Sequence, residues 1–595
     1  MIQELLINAT IKAIFTLYGE KVSNNLIQVQ KTRTEFDGDI TIVVFPFLKI
    51  SRKAPEQTAN DIGKWLKDNM NEVDGFNVIK GFLNLSISNK YWFDFFNTAQ
   101  TNQAYGLSKH RSAKPIVIEY SAPNTNKPLH LGHIRNNLLG WSVSEILKAS
   151  GKQVKKVNLI NDRGIHICKS MLAWQKWGEG KTPDELNIKG DKLVGEYYVR
   201  FDQAHKAEVA ELVAKGMDKA EAVNNSPLLL EAKAMLKKWE QGDEQVRHLW
   251  EKMNSWVYEG FDVTYKRMGV DFDKVYHESE TYLLGKELVQ EGLEKGVFFS
   301  KADGSVWCDL TNEDLDEKLL LRADGTSVYM TQDLGTAQLR YDDYNPSGLI
   351  YIVGNEQIYH FDVLKLILKK LGRSWSDHIY HLSYGMVELP EGKMKSREGK
   401  VVDADDLMDE MYKTAKKTSE ELGKFDDFSP DESDQLYKTI SLGALKYFIL
   451  KVDPKKTMTF NPQESIDFNG NTGPFIQYSY ARIQSILRKA DTAGIQARKK
   501  ISTDYPLAEK ERSLIKLLYE YPEIVTLAAE NLSPAQIANY VYELAKEFNQ
   551  FYHEYPILKE EIVNIRNFRL ELSRFIGETI KSGLHLLGID VVDRM

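Results

Sequence analysis

The sequence predicts a multidomain α/β protein with a doubly wound, Rossmann-like parallel sheet at its centre. Three observations support this prediction. At 595 residues the chain exceeds the size of one ordinary hydrophobic core. A strand, loop, helix, strand pattern begins at Ile116, as in half of a doubly wound sheet. Helix-forming sequence with few strand signals fills residues 185–300 and everything after about 475.

Residues 1–112 are predicted to form a small N-terminal α/β domain. It has an alternating strand at Ile40–Pro46, a helical stretch at Thr58–Met70 and a second strand at Asn77–Ile87. Lys114 precedes a proline and is therefore biased to extended backbone, which marks the boundary.

Residues 113–475 are predicted to form the parallel-sheet domain, interrupted by a helical insertion at about 185–300. A turn-rich stretch, Ser121–His130, separates its first strand from a helix that ends near Ser150. The predicted strands are Ile116–Tyr120, Val154–Ile160, Ser305–Leu310, Leu349–Val353 and Ile379–Tyr384. Residues 476–595 are predicted to be all-helical.

Composition is that of a soluble globular protein, 42% hydrophobic and 27% charged, with no apolar stretch that predicts a membrane span. We expect a cytoplasmic location and no membrane partner. The two cysteines, Cys168 and Cys308, predict buried free thiols and no cysteine-rich zinc site, and we expect no protein-built metal site. A net charge of −8 does not exclude nucleic acid, because phosphate binding depends on local patches.

The strongest chemical signal is a His-x-Gly-His string, His130 to His133, between a strand and a helix. A helix start offers unpaired N–H groups and a positive dipole end to an anion. Both imidazoles lie on the first helical turn and can face one phosphate, and Gly132 lets a flat base approach the backbone. The alternative, surface histidines that cap a helix, is less favoured.

A second signal is the segment 392–399, which holds Lys393, Lys395 and Arg397 between glycines. Cations in such a loop suit the β- and γ-phosphates of ATP, where charge builds on the leaving pyrophosphate. Taken alone, a basic surface turn is the better interpretation. Together with the histidine string, a nucleotide site is favoured.

These two segments together resemble the HIGH and KMSKS signature motifs of class I aminoacyl-tRNA synthetases. The resemblance implies that an amino-acid carboxylate attacks the α-phosphate of ATP, with Mg²⁺ as cofactor, and that the acyl group then passes to tRNA. It implies a catalytic role for His130, His133 and Lys393. The implied ATP-binding residues are Pro123, His130, Gly132, His133, Lys393, Met394, Lys395 and Ser396.

One position departs from the family pattern. The second lysine of the usual second motif is replaced by Ser396, with Lys395 one position early. Arginyl members of the class often carry a lysine ahead of the first motif instead. Lys127 occupies that place, so the resemblance implies a catalytic, phosphate-binding role for it.

The amino acid is indicated by a separate group of residues. Leu321–Asp333 resembles the motif of the arginyl-tRNA synthetase family, with Tyr329 and Asp333 spaced i, i+4 for one helix face. A carboxylate can accept two parallel hydrogen bonds from one guanidinium, a bidentate pair that lysine's ammonium cannot reproduce. The arginine-binding residues implied by the resemblance are Glu119, Asn124, His133, Tyr329, Asp333 and Gln357.

Residues Gly470–Arg482 resemble the start of the family's anticodon-binding helical domain and lead into a basic run. Such a run alone is more often a solvated helix face. With the resemblance it predicts tRNA contacts at Tyr478, Arg482, Arg488 and Lys489. The aromatic rings of Phe475 and Tyr480 either stack on bases or belong to the core.

The N-terminal domain, with Gly81–Leu85, resembles the family's extra domain, which implies a tRNA contact there. The residues and the resemblance together predict an arginine–tRNA ligase that uses ATP, arginine and tRNA(Arg), with a monomer expected from the family. Two alternatives remain open. One is a nucleotidyltransferase of the same superfamily that does not use tRNA. The other is a non-catalytic tRNA-binding relative.

Overall fold

The structure is a computed structural model that describes residues 2–33, 35–388, 390, 402–421, 428–495 and 505–595. Four of the predicted phosphate-binding residues lie outside the described residues: Lys393, Met394, Lys395 and Ser396. The chain forms two compact units. The first comprises Met1–Tyr105, Ile486–Glu520 and Glu547–Ile576, and the second comprises Gly106–Ser485, Tyr521–Lys546 and Gly577–Met595. The division into three domains stays a prediction.

The first unit contains an antiparallel sheet in the order β1-β2-β4-β3. Its strands are β1 (Gln28–Lys31), β2 (Ile40–Val43), β3 (Val73–Ile79) and β4 (Phe82–Ile87). The accompanying helices are α1 (Ile2–Tyr18), α2 (Leu48–Ser51), α3 (Pro55–Asn69) and α4 (Asn89–Ala99). The predicted single strand Asn77–Ile87 is wrong. Lys80 and Gly81 have φ angles of 50° and 80°, so the chain reverses there and forms a hairpin.

The second unit contains the strands β5 (Pro115–Glu119), β6 (Gln153–Ile160), β7 (Lys274–His277), β8 (Phe298–Ser300), β9 (Val306–Cys308), β10 (Lys318–Leu321), β11 (Gly348–Gly354), β12 (Ile379–Tyr384), β13 (Val387–Glu388) and β14 (Met458–Thr459). A five-stranded, wholly parallel sheet has the order β12-β11-β5-β6-β7. Strand order therefore reverses between β5 and β11, which is where doubly wound sheets bind ligands. The predicted fold class is confirmed.

Two predicted features of this unit are wrong. The candidate strand Ser305–Leu310 corresponds to β9, which pairs antiparallel with β8 and β10 in a separate sheet. The connections from β8 to β9 and from β9 to β10 are too short for a parallel crossover. The predicted all-helical insertion 185–300 is free of strands only as far as Met268, where Gly269 ends the helix in left-handed geometry. Beyond it, β7 joins the parallel sheet.

Helices of the second unit begin with α5 (Leu131–Ala149) and α6 (Ile165–Trp177). The helical insertion consists of α7 (Pro183–Leu186), α8 (Gly190–Ala214), α9 (Lys219–Asn225), α10 (Pro227–Glu240) and α11 (Glu244–Met268). After it come α12 (Glu278–Thr281), α13 (Leu284–Glu294), α14 (Tyr329–Tyr344), α15 (Ile358–Lys370), α16 (Ala404–Glu421), α17 (Pro430–Leu450) and α18 (Pro462–Ser465).

The described part of residues 476–595 is helical, as predicted. Its helices are α19 (Gly473–Thr492), α20 (Glu509–Glu530), α21 (Pro534–Glu554) and α22 (Val563–Leu586). Across the described ranges, no helix combines the length and apolarity needed to cross a membrane. Cys168 and Cys308 are both buried free thiols, as expected.

Candidate active site

A cavity of about 410 Å³ lies at the sheet's reversal point, beside the carboxyl ends of β5 and β11. His130 and His133 from the start of α5 form part of its wall. Ser121 and Ala122 contribute the turn after β5, and Glu356 follows β11. The predicted histidine string therefore lies in the crevice where this class of sheet binds ligands.

The turn after β5 is strained. Ser121 and Ala122 have φ angles of 80° and 45°, which residues with a side chain rarely adopt. Two buried asparagines hold it: Asn136 Oδ1 accepts the Ser121 N–H at 2.5 Å, and Asn158 Oδ1 accepts the Ala122 N–H at 3.0 Å. Asn136 also donates to the carbonyl of Ile352 on β11, at 2.7 Å, and so spans the crevice. Sequence reasoning missed both asparagines.

The two histidines cap α5 and fix each other. His130 Nδ1 accepts the Gly132 N–H at 3.1 Å, and His133 Nδ1 accepts the His130 N–H at 3.1 Å. The ring centroids are 4.0 Å apart. A Cβ at position 132 would lie 3.0 Å from the His130 ring, so Gly132 makes room for the imidazole itself.

These hydrogen bonds determine which ring nitrogen of each neutral histidine carries the proton. Each Nδ1 accepts a backbone proton, so a neutral ring carries its own proton on Nε2. Burial lowers the pKa of His130 to about 3, with a further contribution from Lys127. Burial, His130 and Lys127 also hold the pKa of His133 well below its ordinary value. At neutral pH both histidines are therefore uncharged hydrogen-bond donors.

Lys127 is a largely buried ammonium group, and burial lowers its pKa. Within the described ranges no carboxylate pairs with it, so the position favours an incoming anion. A second cavity, of about 550 Å³, opens beside Lys127 and His130. The carbonyl of Val402, the first described residue after the predicted phosphate-binding segment 392–399, accepts the Leu131 N–H at 3.2 Å. Val402 therefore lies next to the histidines.

Two further predicted residues belong to the same turn. Pro123 is buried, and its carbonyl accepts the Asn161 N–H at 2.8 Å. Asn124 is exposed and forms an isolated parallel bridge with Asn161. The turn thus leaves the Asn124 side chain accessible to a ligand.

The predicted arginine-binding residues of α14 have the expected spacing. The helix begins at Tyr329, so Tyr329 and Asp333 are one turn apart on one face. Tyr329 is 77% exposed and therefore accessible to a ligand. Asp333 Oδ2 lies 2.5 Å from His360 Nε2 at the start of α15. Gln357 is exposed on the short turn between β11 and α15.

Glu278 is an acidic residue that sequence reasoning missed. It begins α12 directly after β7, and its Oε1 accepts a hydrogen bond at 3.0 Å from Gln332, the neighbour of Asp333. Burial raises the pKa of Glu278 to about 7, with opposing influence from Arg163 and further raising by Asp162 and Asp333. A cation bound here would restore its charge. The signal was hidden because β7 itself was not predicted.

Glu119 ends β5 and is 7% exposed. Its Oε2 forms an ion pair with Nη2 of Arg340, a residue of α14 that is 1% exposed. Burial raises the pKa of Glu119, Arg340 lowers it, and Asp333 raises it further. Glu119 is thus a buried carboxylate with its own compensating cation, a partner that the sequence analysis did not predict.

The predicted tRNA-binding residues lie on α19. The Arg482 guanidinium is 5.0 Å from the ring centre of Tyr478, while Arg488 and Lys489 are exposed. The alternative of core packing applies to the other two aromatic residues. Tyr480 is 4% exposed with its hydroxyl near Asp593, and the Phe475 ring packs against Tyr542 at 5.5 Å.

Comparisons with known proteins agree with this geometry. A family model described as tRNA synthetases class I (R), catalytic domain, matches residues 97–461, and one described as DALR anticodon binding domain matches residues 476–595. The chain is 60% identical over 595 residues to a Bacteroides thetaiotaomicron protein named Arginine--tRNA ligase, covering 100% of both chains. It is 57% identical over 589 residues to a protein of that name from Porphyromonas gingivalis, covering 99% of each.

Similarity to a solved structure shows the same fold. The chain matches Thermus thermophilus arginyl-tRNA synthetase with a TM-score of 0.80 and 23% identity, covering 100% of both chains. The parallel sheet, the capped histidine pair and the two matching family models lead to one conclusion. The chain belongs to the class I (R) family of tRNA synthetases, and its C-terminal region belongs to the DALR anticodon-binding family.

Proposed function

We propose that this protein is an arginine–tRNA ligase: it activates arginine with ATP and transfers it to the 3′ end of tRNA(Arg). One observation carries the proposal. The cavity at the sheet's reversal point is lined by two neutral histidines. Beside Asp333 on α14, Gln332 donates a hydrogen bond to Glu278, so that two carboxylates lie close together. Neither alternative, a tRNA-independent nucleotidyltransferase or a non-catalytic relative, explains both features together with the DALR region.

In the first step, a carboxylate oxygen of arginine attacks the α-phosphorus of ATP. The bond from that phosphorus to the bridging oxygen breaks, which yields arginyl-adenylate and pyrophosphate. His130 and His133 donate Nε2–H groups to the oxygens on which charge develops. Because their Nδ1 atoms are already fixed by the backbone, this arrangement costs no reorganisation during the reaction.

We assign the phosphate tail to the second cavity, beside Lys127. No carboxylate of the described residues pairs with this ammonium group, which supports the role. By the family resemblance, Lys393, Met394, Lys395 and Ser396 would also bind the tail. Mg²⁺ would arrive with ATP, since this ion typically binds phosphate oxygens with few protein ligands. Pro123 and Gly132 would border the nucleotide.

For arginine, Asp333 and Glu278 would hold the guanidinium, with Tyr329 and Gln357 at the mouth. Glu119 and Asn124 would hold the ammonium end, which leaves the carboxylate near His133. In the second step a hydroxyl of the terminal ribose attacks the adenylate carbonyl. The bond between the carbonyl carbon and the oxygen bridging to phosphorus breaks, AMP leaves with that oxygen, and the hydroxyl proton is released.

The test is charging itself. Purified protein with ATP, Mg²⁺, labelled arginine and total tRNA is expected to give acid-precipitable label on tRNA. Labelled lysine in place of arginine is expected to give almost none. If neither labelled arginine nor labelled lysine is transferred to tRNA, the proposed function is contradicted.

Binding of tRNA by α19 is expected to depend on Arg482 and Lys489. Arg482→Glu or Lys489→Glu should raise KM for tRNA roughly tenfold by removing a phosphate contact and adding repulsion. KM for ATP should be unchanged. The matched control is Lys286→Glu, an exposed lysine of α13. An unchanged KM for tRNA in both variants would show that these cations form only a solvated face.

Location and assembly complete the proposal. Composition supports a cytoplasmic enzyme. The single chain contains all the proposed site residues, which supports a monomer.

A further inference from the structure

One buried charge in the second unit has no part in the reaction described above. Arg340 is 1% exposed, seven residues beyond Asp333 on α14. That spacing places both residues on one helix face, about 10 Å apart along the axis. The guanidinium of Arg340 faces the parallel sheet and pairs with Glu119 Oε2 at the end of β5.

Two aromatic rings lie near the guanidinium. Its central carbon lies 5.5 Å from the ring centre of Tyr276 on β7 and 5.3 Å from that of Tyr351 on β11. Tyr276 is itself fixed, because its hydroxyl donates to Asp343 at 2.6 Å. A planar guanidinium suits such aromatic surroundings better than the compact ammonium of lysine does.

A buried ion pair is a poor source of stability, because removing both charges from water costs about as much as their attraction returns. The arrangement is better explained by what it does to Glu119. Arg340 engages Oε2, and no residue in the described ranges donates a hydrogen bond to Oε1. One carboxylate oxygen is thus fixed, and the other remains for a ligand.

We propose that Arg340 is a positioning residue that keeps Glu119 ionised and oriented to bind the ammonium group of the arginine substrate. The inference rests on the proposed function. It assigns the two ends of arginine to different carboxylates. Glu119, whose charge Arg340 balances, binds the ammonium group, and Asp333 with Glu278 binds the guanidinium.

The surroundings of Glu119 determine how its charge responds to pH. The titratable groups that face it are Arg340 and Asp333 from α14 and Tyr351 from β11, while Tyr276 from β7 faces Arg340. Burial and Asp333 raise the pKa of Glu119, and Arg340 opposes both. Without Arg340 the pKa of the carboxyl group would therefore rise further, so that Glu119 would ionise at a higher pH than in the wild type.

The test is the pH profile of kcat/KM for arginine in Arg340→Gln. At pH 7 the value is expected to be 10- to 100-fold below wild type, on the order of one to three kcal/mol, and to recover as the pH rises to about 9. Arg340→Lys keeps the charge and should keep the wild-type profile with a smaller loss. KM for ATP should change little in either variant.

Three controls separate the explanations. Arg373→Gln removes a different ion pair, with Glu291, and should leave the profile unchanged. In a Glu119→Gln background, Arg340→Gln should add no pH dependence. Circular dichroism melts of each variant check folding. A loss of equal size at every pH in Arg340→Gln, or no loss at all, overturns the inference. Absence of arginine charging by the wild type would instead overturn the proposed function.

Discussion

Replacement of His133 with alanine is expected to lower kcat for arginine charging about 100- to 1,000-fold, the usual cost of removing one preorganised donor from a transition state. His133 donates from Nε2 only because its Nδ1 is committed to the His130 N–H. The measurement is kcat and KM from charging kinetics. KM for tRNA should be unchanged, since the lost contact forms with ATP.

The control for this variant is His378→Ala, which removes an exposed histidine after α15. The pH profile of the wild type provides a second check. Because burial lowers the pKa of both site histidines, the neutral form persists at every pH above about 3 for His130. With arginine saturating, so that Glu278 is ionised, kcat should therefore show no rise or fall near pH 6.5. A histidine titration there, or full activity of His133→Ala, would contradict the assigned role.

Removal of the Asp333 carboxylate should have the largest effect on kcat/KM for arginine. Asp333→Ala is expected to reduce kcat/KM for arginine about 1,000-fold, roughly 4 kcal/mol, because the guanidinium loses its carboxylate partner. His360 also loses the carboxylate that lies 2.5 Å away. KM for ATP should change less than threefold.

The matched control is Asp342→Ala on the same helix. Asp342 is exposed, and its carboxylate accepts a hydrogen bond from Gln338 at 2.9 Å, so charging should be unaffected. Asp333→Asn tests charge separately from shape. Its kcat/KM for arginine should lie between the values of the wild type and Asp333→Ala. Wild-type use of arginine by Asp333→Ala would show that the guanidinium binds elsewhere.

Features with a local physical cause were predictable from the sequence. β-Branched residues at Ile116 and Val117 predict a buried parallel strand, and the structure has one there. The histidine string predicts a helix start because its capping partners are neighbours in the chain, and α5 begins at the next residue, Leu131. The i, i+4 spacing of Tyr329 and Asp333 likewise depends only on the helix that contains them.

Features that depend on distant partners were not predictable. β7 is only four residues long, too short for a periodic signal, and it is a strand because β6 pairs with it. The turn at Lys80 was missed because the strands on either side are both apolar. Glu278 could be placed near Asp333 only once β7 was known.

The ion pair of Glu119 shows the same limit in the site itself. Glu119 and Arg340 are 221 positions apart, and nothing in the sequence near either residue indicates the other. Seen in the sequence alone, an acid at the end of β5 suggests a carboxylate without a charged partner in the protein. The fold instead supplies a compensating cation, because a buried charge is costly without one.

The most direct measurement is the ratio of kcat/KM for arginine to that for lysine in wild-type charging of tRNA(Arg). A site built to pair with a guanidinium leaves its carboxylates poorly matched by an ammonium, so the ratio is expected to be at least about 10⁴. Asp333→Ala should lower it by reducing the arginine value alone. A ratio near one would contradict the claim that these carboxylates select the substrate.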